Sequence, residues 1–225
     1  MTTYEQQPFA GVEFAENPEA RCPCILILDV SGSMSGTKIN ELNDGLRVFA
    51  SELQADSMAA KRVEVAIVTF GPAEISQYFV TADGFEPPTL RASGDTPMGA
   101  AVLEAIRLAN ERKETYKAAA VGYYRPWLFL ITDGSPTDDI SAAGAAIREG
   151  EASKSFTFHA VGVDQADMNR LAHLGTRAPL KLRDVSFREL FVWLSNSLGS
   201  ISRSQEGESV PLLNPAAPDG WAVID

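Results

Sequence analysis

The chain has 225 residues and a formal net charge of −11, with 45% hydrophobic and 22% charged residues. This length suits one large domain with tails, and the composition is ordinary for a globular protein. The acidic balance argues against a nucleic-acid partner, since phosphate binding depends on Lys and Arg, and no apolar stretch approaches the roughly 18 residues that span a membrane.

The first part of the chain predicts an arm, a buried strand and an amphipathic helix. Residues 1–21 are polar with scattered aromatics, and we expect an arm that packs on the domain. The continuous apolar run at 24–29 predicts a central strand buried on both faces. Apolar residues recur every three or four positions from Ile39 to Leu53, which predicts a helix with Thr37 as its N-cap.

A hairpin and a second helix are predicted next. The β-branched run at 63–71 predicts a strand, and residues 74–80 follow so closely that we expect an antiparallel edge strand. After a long loop, Thr96 and Pro97 have the residue types of a helix N-cap and first helical position, and a helical pattern starts at Met98.

The second half continues the alternation and closes the predicted fold. The remaining elements are strands at 126–134, 155–163 and 179–185, and helices at 138–150, 168–175 and 187–201. Together the elements predict a doubly wound α/β domain over 22–202, with a mostly parallel six-stranded sheet, one antiparallel edge strand and helices on both faces. Residues 203–225 are acidic and contain proline, so we expect a tail, in which Leu212, Leu213 and Trp221 either fold back or dock a partner.

The two cysteines and the N-terminal stretch bear on the compartment. Cys22 and Cys24 are separated by one residue, so a disulfide between them would be strained, and they lack the companions of a zinc site. We therefore expect both to pack as buried side chains. Low cysteine use suits a reducing compartment, and the N-terminal stretch does not resemble a secretory signal, so we expect a cytoplasmic protein.

The stretch DVSGSMSG at 29–36 follows the first strand and admits several chemistries. A phosphate loop needs four residues between its glycines, whereas three separate Gly32 from Gly36. An aspartyl phosphotransferase would need a carboxylate where Ser31 stands. A nucleophile elbow would need a serine where Met34 stands.

No catalytic base is evident from the sequence. His159 lies in an apolar strand, and we expect a core residue with satisfied hydrogen bonds. His173 lies near the end of a short helix. Lys38 lies in the first turn of a helix, where the sequence reveals no pocket. We therefore predict no catalytic residues.

A hard metal ion fits the stretch better. In sheets of this kind the ligand site lies at the carboxyl ends of the strands, where Asp29, Ser31, Ser33, Thr96 and Asp133 are expected to meet. Five oxygen donors without thiolate or imidazole favour Mg²⁺, with Mn²⁺ or Ca²⁺ as alternatives. Because three donors are neutral hydroxyls, the ion would keep a replaceable water, and a carboxylate of another protein is the natural replacement.

The residues also resemble a known site. DVSGS, the threonine of GDTPMG and the aspartate of ITDGSPTD are similar, in this order, to the metal-ion-dependent adhesion site of von Willebrand factor A domains. The resemblance covers roughly residues 20–200. It implies that Ser31, Ser33 and Thr96 are direct ligands, and that Asp29 and Asp133 bind the ion directly or through water.

The start RCPCILILDVSGSM and the Trp-containing tail resemble, more narrowly, the small bacterial von Willebrand A proteins of the tellurium-resistance type. That resemblance implies an intracellular protein of a stress-response system, with a kinase or phosphatase of the same operon as an expected partner.

Three hypotheses on function follow. The leading one is a non-enzymatic, metal-dependent protein-interaction module whose ion takes an acidic residue of a protein partner. The alternative is a metal-dependent hydrolase or phosphotransferase using the same ion, and it needs a positioned base or nucleophile. The third is a scaffold whose site is empty or structural. Asp95, Asp138 and Asp139 crowd the same rim, where we expect solvated-loop or helix-cap roles.

Overall fold

The computed structural model describes residue 14 and residues 16–205, 207–208, 210–217 and 220–223. Seven strands form one sheet: β1 (Cys22–Asp29), β2 (Val63–Phe70), β3 (Glu74–Thr81), β4 (Trp127–Thr132), β5 (Thr157–Gly162), β6 (Leu180–Leu182) and β7 (Ala222–Val223). Their order is β3-β2-β1-β4-β5-β6-β7. The five inner strands pair in parallel, and β3 and β7 pair antiparallel at the two edges.

Helices cover both faces of the sheet, as predicted for a doubly wound domain. They are α1 (Thr37–Ala55), α2 (Ala59–Arg62), α3 (Met98–Ala118), α4 (Ser141–Ala152), α5 (Met168–Leu174) and α6 (Phe187–Arg203). Because side chains alternate along a strand, Leu26 and Leu28 of β1 pack in the core under α1 and α6, whereas Ile25 and Ile27 pack under α3 and α4. Among the described residues no helix has the length and apolar character needed to cross a membrane.

Three predicted details were wrong. The sheet has seven strands rather than six, because Ala222–Val223 pairs with β6. The N-cap of α1 is Gly36 rather than Thr37, and its φ of 81° is a turn conformation that glycine adopts easily. The N-cap of α3 is Pro97 rather than Thr96, and the Thr96 carbonyl accepts from Met98 N at the start of α3 and from Thr137 N in the loop between β4 and α4.

The described part of the C-terminal segment folds back onto the domain. Trp221 is buried, and its ring lies edge-on to that of Trp193, with centroids 5.5 Å apart. Trp193 Nε1 donates to Leu213 O at 2.8 Å. Leu212 packs against the core, whereas the side chain of Leu213 is 74% exposed. Of the two roles expected for these residues, Leu212 and Trp221 take the intramolecular one.

A buried charge cluster fixes the segment before β1 to the domain. Glu64 is 1% exposed and accepts hydrogen bonds from Arg21 Nε at 3.0 Å, Arg112 Nε at 2.8 Å and Tyr116 Oη at 2.5 Å. The ring of Phe14 lies 5.2 Å from the Arg21 guanidinium and 5.0 Å from that of Arg112. The described residues of the predicted arm therefore pack on the domain, while residues 1–13 lie outside the described part.

The cysteines have the packing role that their spacing predicted. Cys22 and Cys24 are unpaired and completely buried. Burial raises the pKa of the Cys22 thiol to about 12, and it raises that of Cys24 as well, with Cys22 adding to the effect. Both thiols therefore stay protonated and pack as small apolar side chains.

His159 is half-buried and has an unsatisfied ring nitrogen. Its ring is 4.9 Å from that of Trp127 and 5.7 Å from that of Phe129. Its Nε2 is buried and has no hydrogen-bond partner, so the prediction of a satisfied histidine was wrong. Burial, with the charge of Arg125 adding to it, lowers the pKa of His159 to about 4.

Replacing His159 with Phe is expected to make stability less sensitive to acid. The pKa of this group is 6.5 when unfolded and about 4 when folded. The stabilisation is therefore complete above pH 6.5 and is lost as the pH falls towards 4, by about 2 kcal/mol at pH 4.5. Urea unfolding at pH 7 and pH 4.5 measures this loss, with the surface variant His173→Gln as control. An equal loss in His159→Phe and wild type would contradict the prediction.

Candidate metal centre

The five predicted ligands lie at the carboxyl end of the sheet. Asp29 ends β1, and Ser31 and Ser33 follow it in the loop that leads to α1. Asp133 comes directly after β4, the parallel neighbour of β1. Thr96 lies two residues before α3. Asp29, Ser31, Thr96 and Asp133 are buried, whereas Ser33 is exposed, so the centre opens to solvent on the side of Ser33.

Short contacts connect four of the five candidate ligands, and the fifth, Thr96, lies beside them at Gly134. Ser31 Oγ and Ser33 Oγ are 2.9 Å apart, and Ser33 Oγ donates to Asp133 Oδ1 at 2.6 Å. Asp29 Oδ1 accepts from Ser31 N at 2.8 Å. The side-chain oxygens Thr96 Oγ1 and Asp29 Oδ2 both lie close to Gly134.

Gly134 keeps a space open between two of the donors. A Cβ added to Gly134 would lie 3.6 Å from Thr96 Oγ1 and 3.9 Å from Asp29 Oδ2. A larger residue would therefore fill the space that these two oxygens share. The predicted juxtaposition of oxygen donors is present in the fold.

Thr132 is a site residue that the sequence reading missed. Its Oγ1 donates to Asp29 Oδ2 at 2.5 Å and accepts from Gly134 N at 3.2 Å. Burial raises the pKa of the Asp29 carboxyl and Asp133 adds to the rise, while hydrogen bonds from Ser31 and Thr132 offset part of it. A threonine at the end of a buried strand beside a loop carboxylate was the available signal.

Lys38 and Asp164 are also part of the site, and the sequence reading gave neither a role there. The ammonium of Lys38 forms an ion pair with Asp133 Oδ2 and lies 3.4 Å from Asp164 Oδ2. Burial acts to lower the pKa of Lys38, but the hydrogen bonds and charges of Asp133 and Asp164 outweigh it and raise the pKa overall. Lys38 is therefore a charged ammonium beside two carboxylates.

The acidic residues at the rim have the structural roles that we expected. Asp138 caps α3 from another loop, since its carboxylate accepts from Gly99 N at 3.0 Å and Ala100 N at 2.8 Å. Asp139 Oδ1 accepts from Ser141 N at 2.9 Å at the start of α4. Asp95 is exposed.

The donor set fits a hard divalent ion with few charged ligands. Among the described residues no group of three or more His, Cys, Asp or Glu is placed to hold a metal. The centre instead combines two carboxylates with three hydroxyls, which suits Mg²⁺ that keeps part of its water shell. Imidazole and thiolate, the ligands that favour zinc and copper, are not among these five donors.

Comparison with known families agrees with this arrangement. The family described as von Willebrand factor type A domain matches residues 24–190, a span that contains all five candidate ligands. The chain belongs to this family. No curated protein matches the chain in sequence.

Solved structures of low sequence identity share the fold. The pilus adhesin SpaC from Lactobacillus rhamnosus GG, in its open conformation, aligns with a TM-score of 0.64 at 13% identity over 82% of this chain and 31% of the adhesin. Proximal thread matrix protein 1 from the mussel byssus aligns at 0.57 and 17% identity, over 81% of this chain and 49% of that protein. The vWF domain of the type V pili tip protein Mfa5 from Porphyromonas gingivalis aligns at 0.54 and 12% identity, over 85% and 99%. The chain thus corresponds to under half of the first two proteins.

Proposed function

We propose that this protein is a non-enzymatic, divalent-metal-dependent protein-interaction module. The ion, Mg²⁺ in the first instance, would be held by Asp29, Ser31, Ser33, Thr96 and Asp133. The observation that carries the proposal is the convergence of these five oxygen donors at one rim of the sheet, with Ser33 on the exposed side. When bound, the ion supplies an electrophilic centre for a carboxylate of the partner.

The charge of Lys38 supports a carboxylate as the partner's group. The two ligand carboxylates, Asp29 and Asp133, with the Lys38 ammonium leave one net negative charge among the buried groups; Asp164, which is not a ligand and has a 51% exposed side chain, is screened by solvent and is not counted. A divalent ion would change this to one net positive charge, which a carboxylate from the partner neutralises. Lys38 therefore weakens the hold on the ion alone and strengthens the hold on ion and carboxylate together. Asp164 offers the ammonium a second carboxylate nearby.

The same lysine argues against the enzymatic alternative. A hydrolase or phosphotransferase would need a base or nucleophile beyond the ligands. Lys38 is the nearest candidate in the described site, and its pKa is raised rather than lowered, so it is held as an ammonium. Turnover of a generic phosphoester that is lost in Asp133→Asn would favour the alternative.

The biological setting is a further part of the proposal. We place the module in a cytoplasmic stress-response system of the tellurium-resistance type, with a kinase or phosphatase of the same operon as partner, on the likeness of its first strand, loop and Trp-containing tail to such proteins. Two of the similar structures are named as pilus proteins.

Partner capture with and without Mg²⁺ tests the function. The immobilised protein is exposed to cell extract in Mg²⁺ or in EDTA, and bound proteins are identified by mass spectrometry. We expect a partner that is retained in Mg²⁺, released by EDTA and lost when one of its surface Glu or Asp residues is replaced. A partner bound equally under both conditions would refute metal dependence.

Replacing Lys38 with Met is expected to tighten Mg²⁺ binding about tenfold, since it removes a like charge beside the ion. The same change should weaken binding of acetate to the Mg²⁺-loaded protein. Calorimetric titration measures both affinities. Lys61→Met is the control, because it removes the same charge from α2, near the amino end of β2. Unchanged Mg²⁺ affinity in Lys38→Met would contradict the role of Lys38.

A further inference from the structure

A cleft of about 930 Å³ lies at the end of the sheet opposite the metal centre. Trp127 and Thr157, the first residues of β4 and β5, form part of its wall, whereas the metal centre lies beyond the carboxyl ends of the strands. The cleft is also lined by residues of the C-terminal segment, namely Gly207, Glu208, Val210 and Leu212. The cleft therefore shares no residue with the metal centre.

Three cations from different elements line this cleft. Lys113 comes from α3, Arg125 from the segment before β4, and Lys154 from the turn after α4. The Lys113 ammonium contacts Ser155, with its Nζ 3.4 Å from the carbonyl oxygen. Arg125 Nε donates to Phe156 O at 2.7 Å. Lys113 and Arg125 are half-buried and both contact the stretch next to Lys154, so the positive charge is concentrated there.

These cations lack the carboxylates that accompany other half-buried cations of this chain. Lys38 pairs with Asp133, Arg62 with Glu19 and Arg112 with Glu64. No described carboxylate lies within ion-pair distance of the three cleft cations. Arg125 Nη2 instead donates to the carbonyl of Glu151 at 3.2 Å.

Among the described residues that line the cleft, one carries a carboxylate, Glu208. Glu208 Oε2 accepts from Gln205 N at 2.9 Å, within its own turn. Burial lowers the pKa of Lys113 and of Arg125; for Lys113 the charge of Lys117 adds to the effect and that of Glu114 offsets part of it. The described lining holds three cations and one carboxylate, so it is net positive in a chain with a formal net charge of −11, and it suits an anion from outside.

We propose that this cleft binds an acidic peptide segment of a partner protein. The guanidinium of Arg125 suits a carboxylate, because its planar donors match the two oxygens. The volume exceeds that of a single ion and falls in the range of peptide-sized or drug-sized ligands. Tyr123 and Trp127 add aromatic surface for the apolar parts of a peptide. The proposal stands apart from the metal centre and does not rest on its function.

Fluorescence anisotropy with a labelled octaglutamate peptide tests this assignment. The titration is run in EDTA, so that a metal-bound carboxylate cannot contribute. We expect saturable binding that weakens as salt is added, and no binding of a labelled octaglutamine peptide. Inorganic pyrophosphate is titrated in parallel, and tight binding of pyrophosphate without binding of the peptide would overturn the assignment to a peptide.

Variants locate the binding in the cleft. Arg125→Gln/Lys154→Gln is expected to bind octaglutamate at least about tenfold more weakly. Lys113→Gln/Lys154→Gln, which keeps the contacts of Arg125 with the backbone, should show a loss in the same direction, so a folding defect in the first variant does not decide the result. The control Arg47→Gln/Lys61→Gln removes the same charge from α1 and α2. Equal affinity of the cleft variants and this control would overturn the proposal.

Discussion

Replacing Glu64 with Ala is expected to lower the free energy of unfolding by about 3–5 kcal/mol, the usual cost of removing one partner from a buried ion pair. Glu64 is 1% exposed and accepts from Arg21, Arg112 and Tyr116. Without the carboxylate, the guanidinium of Arg21, which is 2% exposed, stays buried with no charge opposite it. The Tyr116 hydroxyl also loses its acceptor.

Denaturant unfolding of purified variants measures this effect. Glu104→Ala is the matched control, because Glu104 pairs with Arg107 on the exposed face of α3, and such pairs contribute about 0.5 kcal/mol or less. Glu64→Gln should fall between the two, since it keeps acceptor capacity but loses the charge. A loss below about 1 kcal/mol in Glu64→Ala would show that the cluster contributes little net stability.

Replacing Asp29 with Asn is expected to abolish Mg²⁺ binding and, with it, metal-dependent partner capture. Asp29 is one of two carboxylates among the five donors, and the neutral amide cannot supply its charge. The amide oxygen can still accept from Ser31 N or Thr132 Oγ1, so the fold should persist. Removal of a buried, raised-pKa carboxyl beside Asp133 also relieves repulsion.

Thermal melting across a Mg²⁺ titration tests the Asp29 prediction. An ion that binds only the native state stabilises it by about 2.7 kcal/mol at a hundred times its dissociation constant. The wild-type Tm should therefore rise with Mg²⁺, whereas that of Asp29→Asn should stay constant. Asp95→Asn, at the exposed rim, should keep most of the rise. A Mg²⁺-dependent rise of wild-type size in Asp29→Asn would refute the assignment of Asp29 as a ligand.

The secondary-structure elements that could be predicted from the sequence are those with long hydrophobic patterns. The apolar runs of β1, β2, β4 and β5 can be recognised as strands without knowing which strands lie beside them. The short Gly71-Pro72 connection was enough to predict the antiparallel β3. The two residues of β7 carry no periodicity, and their pairing with β6 depends on the burial of Trp221 against Trp193.

The candidate metal centre likewise has a part that the sequence predicted and a part that it did not. The order of the motif segments and their position at strand ends predicted that Asp29, Ser31, Ser33, Thr96 and Asp133 would meet. The ion pair of Lys38 with Asp133 was not predictable, because it depends on the direction in which α1 leaves the loop. The pairing of Glu64 with Arg112 likewise joins residues 48 positions apart, and nothing local marks it.

Both edges of the sheet, as far as the structure describes them, have features that resist edge-to-edge pairing. Unpaired edge strands template pairing with other chains, and short or irregular edges resist it. On one side the edge is β7, in which the described part of the chain has two residues, Ala222 and Val223. On the other side, β3 pairs with β2 through two register shifts, between Val65 and Ile67 and between Ile67 and Val68. Such irregularities bend and twist a strand, so neither edge presents a long flat ladder on which a second copy could build an aggregate.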